Sequence, residues 1–419
     1  MRSDAFAGNA LPEWDRKIGT FLLYGYLIFE YVRPQEIAPA FAAIPIAGAF
    51  IYGCAVWGLF HIRSSTLRSP LGLILLFAIV CGISAIDAVN LLAYKIAIQY
   101  FFPTLPLCAS IYILIDSPER IFRFVNFWIF LYFLIAVVTI INGGLGPGDF
   151  IKDPNDTSLA LNMGLPFIVY SAFRPDISRA RKLVLSVVAV VVVFAIIYTQ
   201  SRGGFVGLAS VLFGFWFLSR KKIRLALISI VGALALSGGI LSVLPEGYVD
   251  EIMSISDREE STRVERLWTW EMAWIMYKDN PVFGVGAGQF AFNAGTYQRM
   301  TSWWTGVEKS LHGRVTHSVY FQILSELGTA GAIVFGYVMF YLPLRLYSKF
   351  RRCNLKEEEC PIYIKYYQML MVSMAAFLSS GAFISVAYYP HLPIWITLFA
   401  IFLRFERQRN KSLESLSLT

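Results

Sequence analysis

Charge is scarce in this chain. Only 15% of its 419 residues are Asp, Glu, Lys or Arg, against about 25% in a soluble domain, so most of its surface meets something other than water. Cysteine is scarce too. Cys54, Cys81, Cys108, Cys353 and Cys360 show neither metal-ligand spacing nor a paired framework, which argues against a disulfide scaffold or a zinc ribbon. Histidine occupies only four positions; no His/Cys/Asp/Glu cluster marks a metal site and no Gly-x-Ser-x-Gly elbow is present. Asp4, Glu13 and Asp15 precede the first apolar run and no small-residue cleavage site follows it, so no cleaved signal peptide is expected. The net charge of +8 does not indicate nucleic acid, because the basic residues lie in short runs between apolar segments and form no face interleaved with aromatics.

What the chain has in quantity is apolar length. Hydrophobic residues make up 57% of it. Runs near the 20 residues or so needed to cross a bilayer fall at 18–33, 41–60, 70–86, 91–115, 121–142, 157–173, 183–200, 203–219, 223–244, 327–348, 363–387 and 391–405. The expected fold is an all-α integral membrane protein with about twelve transmembrane helices. Most of the 36 basic residues fall in alternate connections, among them Arg120–Arg123, Arg174–Lys182, Arg220–Arg224 and Lys349–Lys356. The positive-inside rule then places both termini in the cytoplasm. The other connections hold only Arg33, Lys95, Lys152 and Arg202. The expected organisation is transmembrane helices one to nine in 1–244, a non-cytoplasmic loop in 245–316, and helices ten to twelve in 317–419.

The loop has structure of its own. Thr262 followed by Glu265 reads as a capping box, so a helix is expected to begin at Arg263. Leu267, Trp270, Trp274 and Tyr277 would share one face of it, as on a helix lying at the membrane interface. Arg263 and Arg266 at a helix N-terminus make an anion site suited to phosphate; a solvated basic turn paired with Asp257, Glu259 or Glu260 is the equal alternative. Arg202 lies in Thr199-Gln-Ser-Arg-Gly-Gly204 at the mouth of a tight hairpin, where the glycines allow a sharp turn and leave room for a ligand. A snorkelling arginine is the plainer account of it, and the plainer account is favoured for Lys95. Thr316 is a candidate N-cap, which makes His317 the opening residue of a helix and a candidate general base, although a lone histidine there is more often structural. Gly284-Val-Gly-Ala-Gly288 follows Asn280-Pro281 and a helix, not a strand, so it is not a nucleotide fingerprint. Asp153-Pro-Asn-Asp156 has too few carboxylates for a calcium loop.

Four of these motifs together resemble the O-antigen ligase superfamily, which includes O-antigen polymerases and bacterial protein O-oligosaccharyltransferases. They are Thr199-Gln-Ser-Arg-Gly-Gly204, Arg263-x3-Leu267, Asn280-Pro-Val-Phe-Gly-Val-Gly-Ala-Gly288 and His317-x10-Gly328. The resemblance implies a GT-C-like, metal-independent, inverting glycosyltransferase of the bacterial inner membrane, without cofactor and with its site at the periplasmic face. Its donor would be a glycan on undecaprenyl diphosphate, held by Arg202 and Arg263 with Arg266 and Lys95 in lesser roles. His317 would activate an acceptor hydroxyl, with a lipid A-core sugar of lipopolysaccharide the first choice. Polymerisation of lipid-linked glycan and transfer to a protein are the alternatives within the superfamily. The rival from another class is a transporter of lipid-linked sugar. Pro103 and Pro106 are placed to break one span, but no second segment mirrors them as a repeat-built transporter would require.

Overall fold

The computed structural model describes residues 11–37, 45–67, 69–174, 176–219, 248–306, 310–355 and 361–417. The described residues are helical, without a strand. In order they form α1 (Glu13–Tyr31), α2 (Ile46–His61), α3 (Leu71–Ser84), α4 (Leu91–Ile98), α5 (Thr104–Leu114), α6 (Pro118–Ile141), α7 (Pro154–Ala172), α8 (Arg179–Tyr198) and α9 (Arg202–Leu218). There follow α10 (Tyr248–Asp279), α11 (Phe290–Tyr297), α12 (Val319–Gly336), α13 (Leu342–Leu355), α14 (Pro361–Gly381) and α15 (His391–Ser417). The expected ninth span, 223–244, lies outside the described residues.

Local chemistry accounts for many of the boundaries. Ser117, Asp153, Ser178 and Ser201 each accept a backbone N–H of the helix they precede, starting α6, α7, α8 and α9. Pro118 and Pro154 occupy first-turn positions, where a missing N–H costs nothing. Among the described residues, three stretches, Pro118–Ile141, Arg179–Tyr198 and Val319–Arg352, are long and apolar enough to cross a membrane. Leu183, Val184, Val187 and Val190 of α8 are exposed, as are Tyr52, Val56, Leu59 and Phe60 of α2. Apolar faces of that extent are stable against lipid and not against water. This is a helical membrane protein.

One expected span is broken. Residues 91–115 form α4 and α5 with a turned segment between them, because Pro103 cannot continue a helix through its own ring. The span expected at 327–348 starts earlier, at Val319, and reaches Arg352 through a π-helical turn at Tyr337–Tyr341.

The bundle core lies where α7, α9 and α14 pack on one another and α8 packs on α7. Gly203 and Gly204 serve this packing and do not make the hairpin turn. A Cβ at Gly204 would meet Ser158 Oγ at 2.5 Å, Asn162 Nδ2 donates to Gly204 O at 2.9 Å, and Ser380 Oγ donates to Gly203 O at 3.2 Å. The turn is made by Gln200, whose φ of +55° is uncommon for a residue with a side chain.

The loop carries a second core. Trp268, Met272, Ala273 and Met276 of α10 bury one face against Val285, Phe290, Ala294 and Leu311. Leu267 and Trp274 are exposed, as an interfacial face requires, but Trp270 turns inward and stacks on Phe321 of α12 with ring centroids 5.2 Å apart.

Candidate functional site

The glycine motif docks on α12. Gly328 interrupts that helix with φ +59° and ψ −154°, which frees backbone groups on both sides of it. Val285 N donates to Ser325 O at 2.8 Å and Gly286 N to Glu326 O at 3.0 Å. Beyond the break, Thr329 N donates to Pro281 O at 2.8 Å and Ala330 N to Val282 O at 3.0 Å. The approach is too close for side chains: a Cβ on Gly328 would lie 2.7 Å from Gly284 N, and one on Gly284 would lie 2.4 Å from the Glu326 carbonyl carbon. The buried Glu326 carboxyl adds Tyr388 Oη at 2.7 Å and Phe290 N at 3.3 Å. The start of α12, and His317 just before it, are thereby held against α10.

His317 does not open the helix. Ser318 occupies the N-cap position and the helix begins at Val319. His317 instead has φ +49°, a strained value for a residue with a Cβ. Its neighbours hold it there. Thr316 O accepts Trp270 Nε1–H at 3.0 Å. Thr316 Oγ1 donates to Ser318 O at 3.0 Å and lies 2.9 Å from Ser385 Oγ in the 382–390 connection.

Charges meet at this ring. Burial holds the His317 imidazole below its ordinary pKa of 6.5, and the guanidinium of Arg266 acts in the same sense, while Asp153 opposes them. Arg314 adds to the first effect and Glu265 to the second; these two residues are 3.8 Å apart as an ion pair. Burial and the arginines thereby favour the neutral imidazole, the form that can accept a proton.

Arg266 is half-buried. Its Nε is buried with no hydrogen-bond acceptor among the described residues, and its guanidinium carbon stands 5.9 Å from the Phe383 ring centre. Burial lowers its pKa and so does the charge of Arg202, the first residue of α9. Two guanidinium groups are therefore brought together at the edge of a partly desolvated site. An anion placed between two like charges of this kind is favoured by both.

The residues expected from the sequence divide unequally. Arg266 bears on both His317 and Arg202, the latter exposed at the start of α9. Arg263 is exposed on α10, and it is not at a helix N-terminus: the backbone is helical without interruption from Tyr248 to Asp279, so the expected start at Arg263 is corrected. No Gly or Pro occurs between those two residues, and a capping signal inside an unbroken helix has no free N–H groups to cap. Lys95 is exposed on α4, and no described contact joins it to the two arginines. His312 packs edge-on to Phe292, with ring centroids 5.9 Å apart. Asn155 lies within the Asp153-Pro-Asn-Asp156 motif, whereas Phe383 and Ser385 carry no local signal.

Among the described residues, no group of three or more His, Cys, Asp or Glu side chains is gathered to hold a metal ion. What this site can do is bind a polyanion at Arg202 and Arg266 beside a neutral imidazole. A family model described as O-Antigen ligase matches residues 187–336, just over a third of the chain. That stretch includes Arg202, Arg263, Arg266, the glycine motif and His317, and it supports the resemblance read from the motifs. No curated protein matches the chain.

Proposed function

We propose, for a chain that carries an O-antigen ligase domain over residues 187–336, a glycosyltransferase that moves a glycan en bloc from undecaprenyl diphosphate to an acceptor hydroxyl. The acceptor in this reading is a lipid A-core sugar, and the process is lipopolysaccharide biosynthesis. The observation that supports it best is the half-buried Arg266, whose charge bears on both His317 and Arg202. The diphosphate gains charge as its bond to the anomeric carbon breaks, and fixed guanidinium donors stabilise that charge as it develops. Arg266 takes the nearer place and Arg263 an outer one. His317 removes the acceptor proton. A single in-line displacement without a covalent intermediate inverts the anomeric carbon, and the groups named suffice without a metal.

The proposed setting is the bacterial inner membrane, with twelve spans in a GT-C-like arrangement, the site at the periplasmic face and both termini cytoplasmic. The test uses purified full-length protein with lipid-diphosphate-linked glycan and, in parallel, lipid A-core, a second lipid-linked glycan or a Ser-rich peptide. Transfer to lipid A-core that is lost in His317→Ala and unchanged by EDTA is the expected result. Product only with the second glycan would make the protein a polymerase, and product only with the peptide an oligosaccharyltransferase. Movement of labelled donor across vesicles without transfer would replace the enzyme reading with a transporter.

A further inference from the structure

The residue before His317 is held from two sides. Thr316 is buried, and its carbonyl accepts Trp270 Nε1–H of α10 at 3.0 Å. Its side chain reaches over His317. Thr316 Oγ1 donates to Ser318 O at 3.0 Å and accepts Ser318 N–H at 3.4 Å, so both backbone groups of the residue after His317 meet the hydroxyl of the residue before it. A hydroxyl has one hydrogen to give. With that hydrogen on Ser318 O, the 2.9 Å contact between Thr316 Oγ1 and Ser385 Oγ is a hydrogen bond that Ser385 donates.

The segment that carries Ser385 is itself fixed. Within the 382–390 connection, Ala387 N donates to Gln322 Oε1 at 3.1 Å and Tyr388 Oη to the Glu326 carboxyl at 2.7 Å; both acceptors are on α12. At the near end, Phe383 N donates to Ser380 O of α14 at 3.0 Å. The turn at 316–318 is therefore gripped by α10 through the Thr316 carbonyl and by the 382–390 connection through the Thr316 hydroxyl. A backbone at φ +49° persists for a residue with a side chain only where its surroundings over-determine it. The conformation buries Thr316 and Ser318, which are 1% and 2% exposed, and leaves His317 between them half-buried.

We propose that Ser385 is a positioning residue for His317: its hydrogen bond to Thr316 Oγ1 locks the turn that aims the imidazole at the acceptor hydroxyl. The proposal rests on the reading of His317 as base. A base works only within hydrogen-bond reach of the proton it takes, and a turn free to relax to negative φ swings the ring away from that place. Ser385 acts through Thr316 and the backbone, not by contact with substrate.

The experiment reads the ring and the reaction separately, on purified full-length protein. Diethyl pyrocarbonate modifies accessible imidazole, and peptide mass spectrometry gives the rate at His317 relative to His312, which is exposed and serves as the internal reference. In Ser385→Ala the released ring should react severalfold faster relative to His312. In the transfer assay the same variant should lose about ten- to a hundredfold in kcat, the cost of a misplaced catalytic group, while retention of labelled lipid diphosphate stays at the parent level. Thr316→Val should behave as Ser385→Ala does. Ser385→Thr and Thr316→Ser keep the two hydroxyls and should stay near the parent in both readouts. Ser379→Ala removes a hydroxyl that bonds only Ala375 O and Ala376 O within α14 and is the control. A parent kcat or an unmoved modification ratio in Ser385→Ala overturns the proposal, as does an equal loss in Ser379→Ala or in Ser385→Thr. Full transfer by His317→Ala would overturn the base assignment instead, and the modification ratio would still report whether Ser385 holds the ring.

Discussion

Arg266 carries a buried Nε with no acceptor among the described residues, and Arg202 bears on it with a like charge. An anion that accepts from both relieves two costs together, so neither arginine should be dispensable. Arg202→Ala and Arg266→Ala should each lower the transfer rate by about 10²–10³, the usual cost of one lost donor to a developing charge. Arg266→Lys should recover little of it, because an ammonium lacks the planar fork that grips a phosphate. Arg263→Ala, on the exposed side of α10, should cost less. Rates equal to the parent for Arg202→Ala and Arg266→Ala at matched protein levels would remove them from donor binding. His317→Ala should lose about 10²–10⁴ in rate and still bind donor, as read by retention of labelled lipid diphosphate. Because burial and Arg266 hold this ring below 6.5, the base should reach half-protonation only below that pH. The acid limb of kcat/KM, which reports the free enzyme, should therefore fall below 6.5. A limb above that value would point to a different group.

At the scale of elements, the junction between the glycine motif and α12 has two glycines that no other residue can replace. A Cβ at Gly328 meets the Val282 carbonyl carbon and oxygen at 2.7 Å, and its φ of +59° with ψ −154° is outside what L side chains adopt. Gly328→Ala should destabilise the protein by about 1–3 kcal/mol or more. It should also release 281–317 to proteolysis before the bundle itself melts, visible as early cleavage in a limited digest with donor binding impaired. Gly336→Ala, on the same helix with open space around its Cβ position, is the control and should leave both unchanged. Equal behaviour of the two variants would mean that the docking seen here does not organise the loop.

For the molecule as a whole, the consequential proposal is orientation. If the site faces the periplasm, Lys278 of α10, which is exposed, lies on that side too. Lys278→Cys in a background without the five native cysteines should react with an impermeant maleimide in intact spheroplasts. A position in the basic inner connections, such as Arg351→Cys, should react only after lysis. The reverse pattern would invert the molecule and place the site in the cytoplasm, where a periplasmic acceptor is out of reach.

How much of this was written locally can be told residue by residue. Apolar length is a property of a segment by itself, so the spans at Pro118–Ile141 and Arg179–Tyr198 and the membrane class followed from composition alone. Their starts lie a turn before the apolar runs at 121 and 183, because Ser117 and Ser178 cap the helices there. The same local logic failed at Thr262, where the cap signal lies inside an unbroken helix, and at Thr316, where Ser318 takes the N-cap position instead. It identified His317 and the arginines as candidates, but it could not rank Arg266 above Arg263, because three residues along one helix decide burial only against what packs there. The partners of that packing are Phe383 at the far end of the chain and Arg202 on another helix. The Asp153-Pro-Asn-Asp156 motif looked like a poor calcium loop for the same reason: Asn155 meets Ser201 only after the helices pack. Local pattern was enough to determine a helical membrane protein with its candidate residues in order. Which of them form a site depended on long-range contact, since burial and the field of neighbouring charges exist only between elements.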